Sequence, residues 1–177
     1  MGRIRRLPEN PTLVDLRTAY ASLFDLLRPY GQALMRGPGP LTPGQRELIA
    51  AYTSALNSCR FCHGVHAEVA KGFGIEPEIF EGMMADPNGA SVDEKMKPLL
   101  SYGGKLTQAP SRLTDADADA VHAVGWDDDA LVYAIAVCAY FNNMNRLVEG
   151  AGIVGNKETY ESQASVLIEQ GYQRKIN

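Results

Sequence analysis

An all-α fold is what this sequence predicts, and two observations predict it: no run of alternating β-branched residues bounded by turns occurs, whereas helix start and stop signals recur throughout the 177 residues. Pro11 or Thr12 opens a first helix with Leu13, Leu16, Tyr20, Leu23, Phe24 and Leu27 on one face, ending near Pro29 and Gly31. GPGPLTPG then reads as a loop. Thr42 is an N-cap with Pro43 at the first helical position and Gln45 three residues on, so a helix with Glu47, Leu48, Ile49, Tyr52 and Leu56 follows and stops near Asn57 and Ser58. Either of those two caps the next helix, which holds Cys59, Cys62 and His66 and runs to Gly72 and Gly74.

A short helix is expected from Pro77 to Met84. Ser91 with Glu94 reads as a capping box for a helix through Met96, Leu99, Leu100 and Leu106, kinked or interrupted by Pro98 and the Gly103–Gly104 pair. Thr114 with Asp117 opens another that ends at Gly125, and Asp127 to Asp129 form the acidic first turn of a long one. Its side chains are apolar all round through Phe141, which predicts a central core helix or an oligomer interface. A last helix near Lys157 to Gln170 completes the set, and no repeat of fixed period is visible.

Seventeen Lys and Arg against twenty-one Asp and Glu give a net charge of −4, without a basic stripe beyond Arg3, Arg5 and Arg6. Nucleic acid is not an expected partner. The longest apolar run, Ala130 to Phe141, is twelve residues, short of the roughly twenty that cross a bilayer, so no membrane span is expected. The basic start lacks an apolar core behind it, which predicts a cytoplasmic chain. One compact domain accounts for the length, with residues 1–40 as an N-terminal helix and loop, 41–153 as a core and 154–177 as a C-terminal helix.

Three cysteines are too few for a disulfide scaffold and suit a reducing compartment. At 100° per residue, Cys59, Cys62, His63 and His66 share an arc of about 100° on one helix, and cysteines three apart lie about 5 Å from each other at Cα, within reach of a disulfide. In a first helical turn the dipole and the unsatisfied N–H groups lower a thiol pKa. His63 is i+4 from Cys59 and His66 is i+4 from Cys62, so each thiol has an imidazole to take its proton. A redox dithiol follows. Cys59, Cys62, His66 and Glu47 could instead hold zinc, but zinc cysteines usually come with a second pair that this chain lacks. Asp115, Asp117 and Asp119 imitate a calcium loop, yet Ala120 replaces its glycine and Trp126 its bidentate glutamate. Cys138, inside the apolar run, reads as a small buried hydrophobe. Asn142 and Arg146 share a helix face at i, i+4 and read either as a polar helix end or as residues that line the thiol pocket or fix Glu149 in a buried polar network.

Glu47 followed by Cys59-Arg60-Phe61-Cys62-His63-Gly64-Val65-His66 resembles the E-x11-C-x-x-C-x-x-x-H signature of the alkylhydroperoxidase D-like proteins of the carboxymuconolactone decarboxylase superfamily. FNNMNRLVEGAGI, positions 141 to 153, is similar to a segment of the peroxidase-related branch, so the resemblance spans about 41 to 153. It implies an AhpD-like helical bundle that oligomerises through its helices and reduces hydroperoxides with an outside dithiol donor of lipoyl or thioredoxin type, without metal or organic cofactor. Cys59 and Cys62 would be the redox pair, with His66 as proton relay and Glu47 as the carboxylate that orients it. Which cysteine attacks stays open, since spacing to His66 favours Cys62 and the dipole favours Cys59. Some members carry a histidine between the cysteines where this chain has Phe61, so His63 is a further candidate for the proton route. The rivals are a lyase of the same superfamily acting on a lactone, for which a dithiol has no use, and a redox-sensing module without turnover.

Overall fold

The computed structural model describes residues 3–86 and 91–173, and among them there are helices and turns but no strand. The N-terminal region is three short helices, α1 (Leu13–Ala19), α2 (Ala21–Phe24) and α3 (Leu27–Arg36), where one helix ending at Pro29 was expected. Tyr20, with φ −128° and ψ 43°, breaks the first from the second. Pro29 does not end α3 because it falls in the first turn, where a backbone N–H has no intrahelical partner to lose. Gly31 continues the helix at a close approach: a Cβ there would lie 2.7 Å from the Tyr140 hydroxyl.

Helix α4 (Pro43–Leu56) starts on the expected capping box between Thr42 and Gln45. It is the central helix, with Gly44 and every residue from Arg46 to Ala55 buried, and it packs against α3, α5, α6 and α8. Small residues such as Ala50, Ala51, Ser54 and Ala55 let those neighbours approach. Arg46, 1% exposed, donates to the carbonyls of Leu41, Leu34 and Gly37 at 2.8–2.9 Å, so a buried cation satisfies the end of α3.

Ser58, with φ +55°, turns the chain into α5 (Arg60–Gly72). The N-cap is Cys59 itself, in place of the expected Asn57 or Ser58. Pro77–Phe80 form only a 3₁₀ turn where a helix to Met84 was expected, and Gly82 at φ +72° turns the chain away. Helix α6 (Lys97–Gln108) begins after Met96 without a side-chain cap, later than the Ser91–Glu94 pair suggested, because Pro98 fits only a first turn. Gly103 and Gly104 do not interrupt it: both are buried, and a Cβ on Gly104 would come within 3.0 Å of the Tyr52 hydroxyl.

Helix α7 (Asp115–Ala123) keeps the Thr114–Asp117 capping box, and Lys105 of α6 pairs with Asp117 at 2.6 Å. Helix α8 (Asp128–Ala151) opens on Asp127 and closes on Gly152 at φ +73°. Apolar all round through Phe141, it leaves Val132 59% exposed and Ala139 exposed in the single chain, so of the two expected placements the fully enclosed core helix is not met. Helix α9 (Lys157–Gln170) lies on α5, where Gly64 and Gly72 admit Tyr160 and Ile168. A terminal 3₁₀ turn, Gly171–Gln173, packs against α3. No described helix is long and apolar enough to cross a membrane.

Two apolar clusters result. The larger joins α3, α4, α6 and α8, and the smaller gathers Leu16, Phe24, Phe61, Val69, Val148 and Ala164 from α1, α2, α5, α8 and α9. Cys59 and Cys62 belong to the smaller cluster, while Phe141 and Tyr172 belong to the larger, so the dithiol lies at the seam between them.

Candidate active site

The expected histidine and carboxylate meet across two helices. His66 Nδ1 lies 2.7 Å from Glu47 Oε2, although the two are nineteen positions apart. The hydrogen placed on Nδ1 by this bond leaves Nε2 as the ring's proton acceptor. Glu47 is fully buried, and its other oxygen accepts hydrogen bonds from Arg36 Nη1 at 2.7 Å and from the Tyr172 hydroxyl at 2.9 Å. Burial pushes the carboxyl pKa up, but the attraction and hydrogen bond of His66, reinforced by Arg36, outweigh it and hold Glu47 below the ordinary carboxylate value.

Arg36 and Tyr172 carry no signal in the sequence. Arg36 is the last residue of α3, and its guanidinium lies between the rings of Phe73 and Tyr172, 4.7 and 5.1 Å from their centroids. Tyr172 sits in the terminal 3₁₀ turn, pinned by its backbone N–H to Gln32 Oε1 at 2.6 Å. Burial, then the Glu47 carboxylate, raise its pKa well above the ordinary phenol value, so it remains a donor to Glu47.

Cys62 and His66 line one cavity of about 60 Å³, walled by Phe61, Val65, Phe141, Met144 and Tyr172 and reached also by Arg17 and Gln163. Cys62 faces this space. Cys59 does not line it; wholly buried at the N-cap of α5, it holds its thiol against Cys62. The hydrogen bond to Cys62, then burial, push the Cys59 thiol pKa far up, the reverse of the lowering expected from the helix dipole. The dipole is present, but a wholly buried sulfur beside a second sulfur loses more by desolvation and repulsion than the helix end returns.

His63 points elsewhere. Its Nδ1 lies 3.1 Å from the Ala51 carbonyl of α4, its ring meets Phe80 edge-on, and burial lowers its pKa. It does not line the cavity. Asn142 and Arg146 do not line it either: Asn142 accepts from Asn57, and Arg146 folds back onto Asn142. Cys138 is buried, with its sulfur 3.1 Å from Thr107 Oγ1. Among the described residues no group of three or more His, Cys, Asp and Glu side chains is arranged to hold a metal ion.

Residues 21–86, which include Glu47, Cys59, Cys62 and His66, match the model of the carboxymuconolactone decarboxylase family. No curated protein matches the chain. Among solved structures, an uncharacterized peroxidase-related protein from Silicibacter superposes with a TM-score of 0.77 at 22% identity, over 86% of this chain and 79% of that one. An uncharacterized peroxidase-related protein from Ralstonia eutropha, described as an alkylhydroperoxidase AhpD core, gives 0.77 at 25% identity over 82% and 77%. An Agrobacterium tumefaciens protein of unknown function, described as an AhpD-type antioxidant defence candidate, gives 0.70 at 17% over 88% and 99%. The likeness to the carboxymuconolactone decarboxylase family is thus confined to residues 21–86, and the helical fold is the one shared with these peroxidase-related, alkylhydroperoxidase D-like structures.

Proposed function

We propose that the protein is a thiol-dependent hydroperoxidase-like oxidoreductase, with Cys62 as the attacking thiol and Cys59 as the resolving one. The observation that carries this reading is the cavity shared by Cys62 and a His66 whose far nitrogen is held by the buried Glu47. His66 Nε2 takes the Cys62 proton, the thiolate attacks the terminal oxygen of ROOH, and the O–O bond breaks. His66 returns the proton to the leaving alkoxide as ROH, and Cys62 is left as a sulfenic acid. Cys59 then attacks the Cys62 sulfur, the S–O bond breaks, and hydroxide departs as water with the Cys59 proton. An external lipoyl- or thioredoxin-type dithiol restores both thiols.

The apolar walls suit an organic hydroperoxide or hydrogen peroxide and shield the sulfenic acid from bulk water. His63, turned toward Ala51 and Phe80, has no part in this route. Assembly with further copies of the chain is supported by the exposed apolar side chains Leu23, Leu26 and Tyr30 and by Val132 on the open side of α8. A reducing, cytoplasmic setting suits a chain with three cysteines, too few for a disulfide scaffold.

The test is a thiol count on the reduced protein after one equivalent of hydroperoxide. Two of the three thiols are lost, and the mass of the product shows a Cys59–Cys62 disulfide with Cys138 still free. Retention of all three thiols overturns the reading.

A further inference from the structure

The asparagines after the apolar run of α8 are not used in the chemistry above, yet they are committed to the turn that carries Cys59. Asn57, two residues before Cys59, spends its side-chain amide on both of them: Nδ2 donates to Asn142 Oδ1 at 3.1 Å and to Asn145 Oδ1 at 2.9 Å. Each partner is itself fixed. Asn145, 1% exposed, donates to Ser54 Oγ at 3.0 Å, and that hydroxyl donates to the Ala50 carbonyl at 2.8 Å. Asn142 donates to Thr107 Oγ1 of α6 at 3.0 Å, and its Oδ1 also accepts from Arg146 at 2.8 Å.

Next to this clamp the backbone is in a conformation that an L residue rarely adopts. Ser58 has φ +55°, and Cys59 N–H returns to the Ser54 carbonyl at 2.9 Å. A non-glycine residue keeps such a φ only where its surroundings fix it, and here the fixing groups are the side chain of Asn57 and the end of α4. Cys59 is thus tied to the end of α4 through its N–H and to α5 through its carbonyl, which accepts from His63 N–H at 3.0 Å, while Cys62 belongs to the body of α5.

We propose that Asn142 and Asn145, acting through Asn57, are positioning residues for Cys59 in the resolving step. The proposal rests on the dithiol reading above. Resolution requires the Cys59 sulfur to reach the Cys62 sulfur along the S–O axis; as that bond breaks, the new S–S bond forms and hydroxide leaves with the Cys59 proton as water. The attack of Cys62 on peroxide needs His66 and the cavity and makes no use of the clamp. Loosening the turn thus slows the second step and spares the first.

The experiment compares wild type with Asn57→Ala and Asn142→Ala, the latter removing one anchor and leaving Asn145 in place. Single-turnover peroxide consumption reads the attack, and thiol alkylation followed by mass spectrometry reads disulfide formation, with dimedone trapping any sulfenic acid. Attack within about twofold of wild type, resolution slower by about tenfold or more in Asn57→Ala, and an accumulated dimedone adduct on Cys62 are expected. Resolution at the wild-type rate in both variants overturns the clamp, as does an equal loss of both steps, which is what general loosening of the fold produces.

A parallel arm separates this result from the fate of the peroxidase reading. Diamide adds to one thiol, and the second thiol displaces the hydrazine to close the disulfide, so Cys59 is read without peroxide. Wild type that closes the disulfide with diamide but consumes no peroxide removes the peroxidase reading. In that arm, slower closure by Asn57→Ala supports the clamp and unchanged closure overturns it.

Discussion

Glu47 is a fully buried carboxylate, and three donors, Arg36, Tyr172 and His66, are what makes that tolerable. Truncating one member of such a group leaves the others unmatched. Glu47→Gln is expected to destabilise the fold by about 3–5 kcal/mol, because the Arg36 guanidinium then lacks its buried counter-charge, and denaturant titration reads this. The same variant loses peroxide turnover, since His66 no longer has a carboxylate to hold its Nδ1 hydrogen. Tyr172→Phe removes one donor from Glu47 while keeping the ring beside Arg36, with an expected cost of about 1.5–3 kcal/mol and turnover reduced less than in Glu47→Gln. The pH dependence follows from the direction of each shift. Glu47 has a folded pKa below its ordinary 4.5, so the unfolded chain binds more protons and the stabilisation, complete above 4.5, is lost as pH falls through the lowered value. His63, lowered from 6.5, adds a loss of the same sign that begins below 6.5. Thermal unfolding between pH 7 and 3 should therefore show falling stability in wild type, and a shallower fall below 4.5 in Glu47→Gln.

At the scale of elements, the approach of α5 to α9 sets the shape of the cavity, and it depends on glycine. A Cβ on Gly64 would lie 2.4 Å from the Tyr160 ring, which its own hydroxyl anchors to the Gly155 carbonyl at 2.8 Å. Gly64→Ala is expected to cost about 1–3 kcal/mol of packing, partly offset by the roughly 1 kcal/mol that alanine gains over glycine in a helix. The measurement is a lowered Tm together with a raised KM for hydroperoxide, as α9 shifts away from Cys62. Elements whose signals are local were legible in the sequence: the capping boxes at Thr42 and Thr114 each open a helix from adjacent residues. Boundaries set by neighbours were not. The break at Tyr20, the passage of α3 through Pro29 and the unbroken Gly103–Gly104 stretch depend on what lies against them. The site divides in the same way. Glu47, Cys59, Cys62 and His66 stand at readable spacings, whereas Arg36 and Tyr172 reach Glu47 from eleven and 125 positions away with nothing local to mark them.

For the molecule as a whole, α4 is the buried axis and α8 is not, because α8 has one side open. Val132 on that side, together with Leu23 and Leu26, 67% and 80% exposed, leaves apolar surface that a second copy of the chain can cover. Sedimentation is expected to give a mass that is a multiple of the single chain, and Leu26→Asp with Val132→Asp is expected to shift it toward the monomer. The dithiol lies inside, at the seam of the two apolar clusters, so association and chemistry are separable in these variants. The central claim is that this seam turns over hydroperoxide through Cys62. Its most direct test is steady-state consumption of an organic hydroperoxide with a dihydrolipoyl-type dithiol, by wild type and by Cys62→Ser, Cys59→Ser and His66→Ala. Sustained turnover in wild type, abolished in both cysteine variants and strongly reduced in His66→Ala, is the predicted result. Consumption no faster than the dithiol alone supports, with the same rate in wild type and Cys62→Ser, would contradict it.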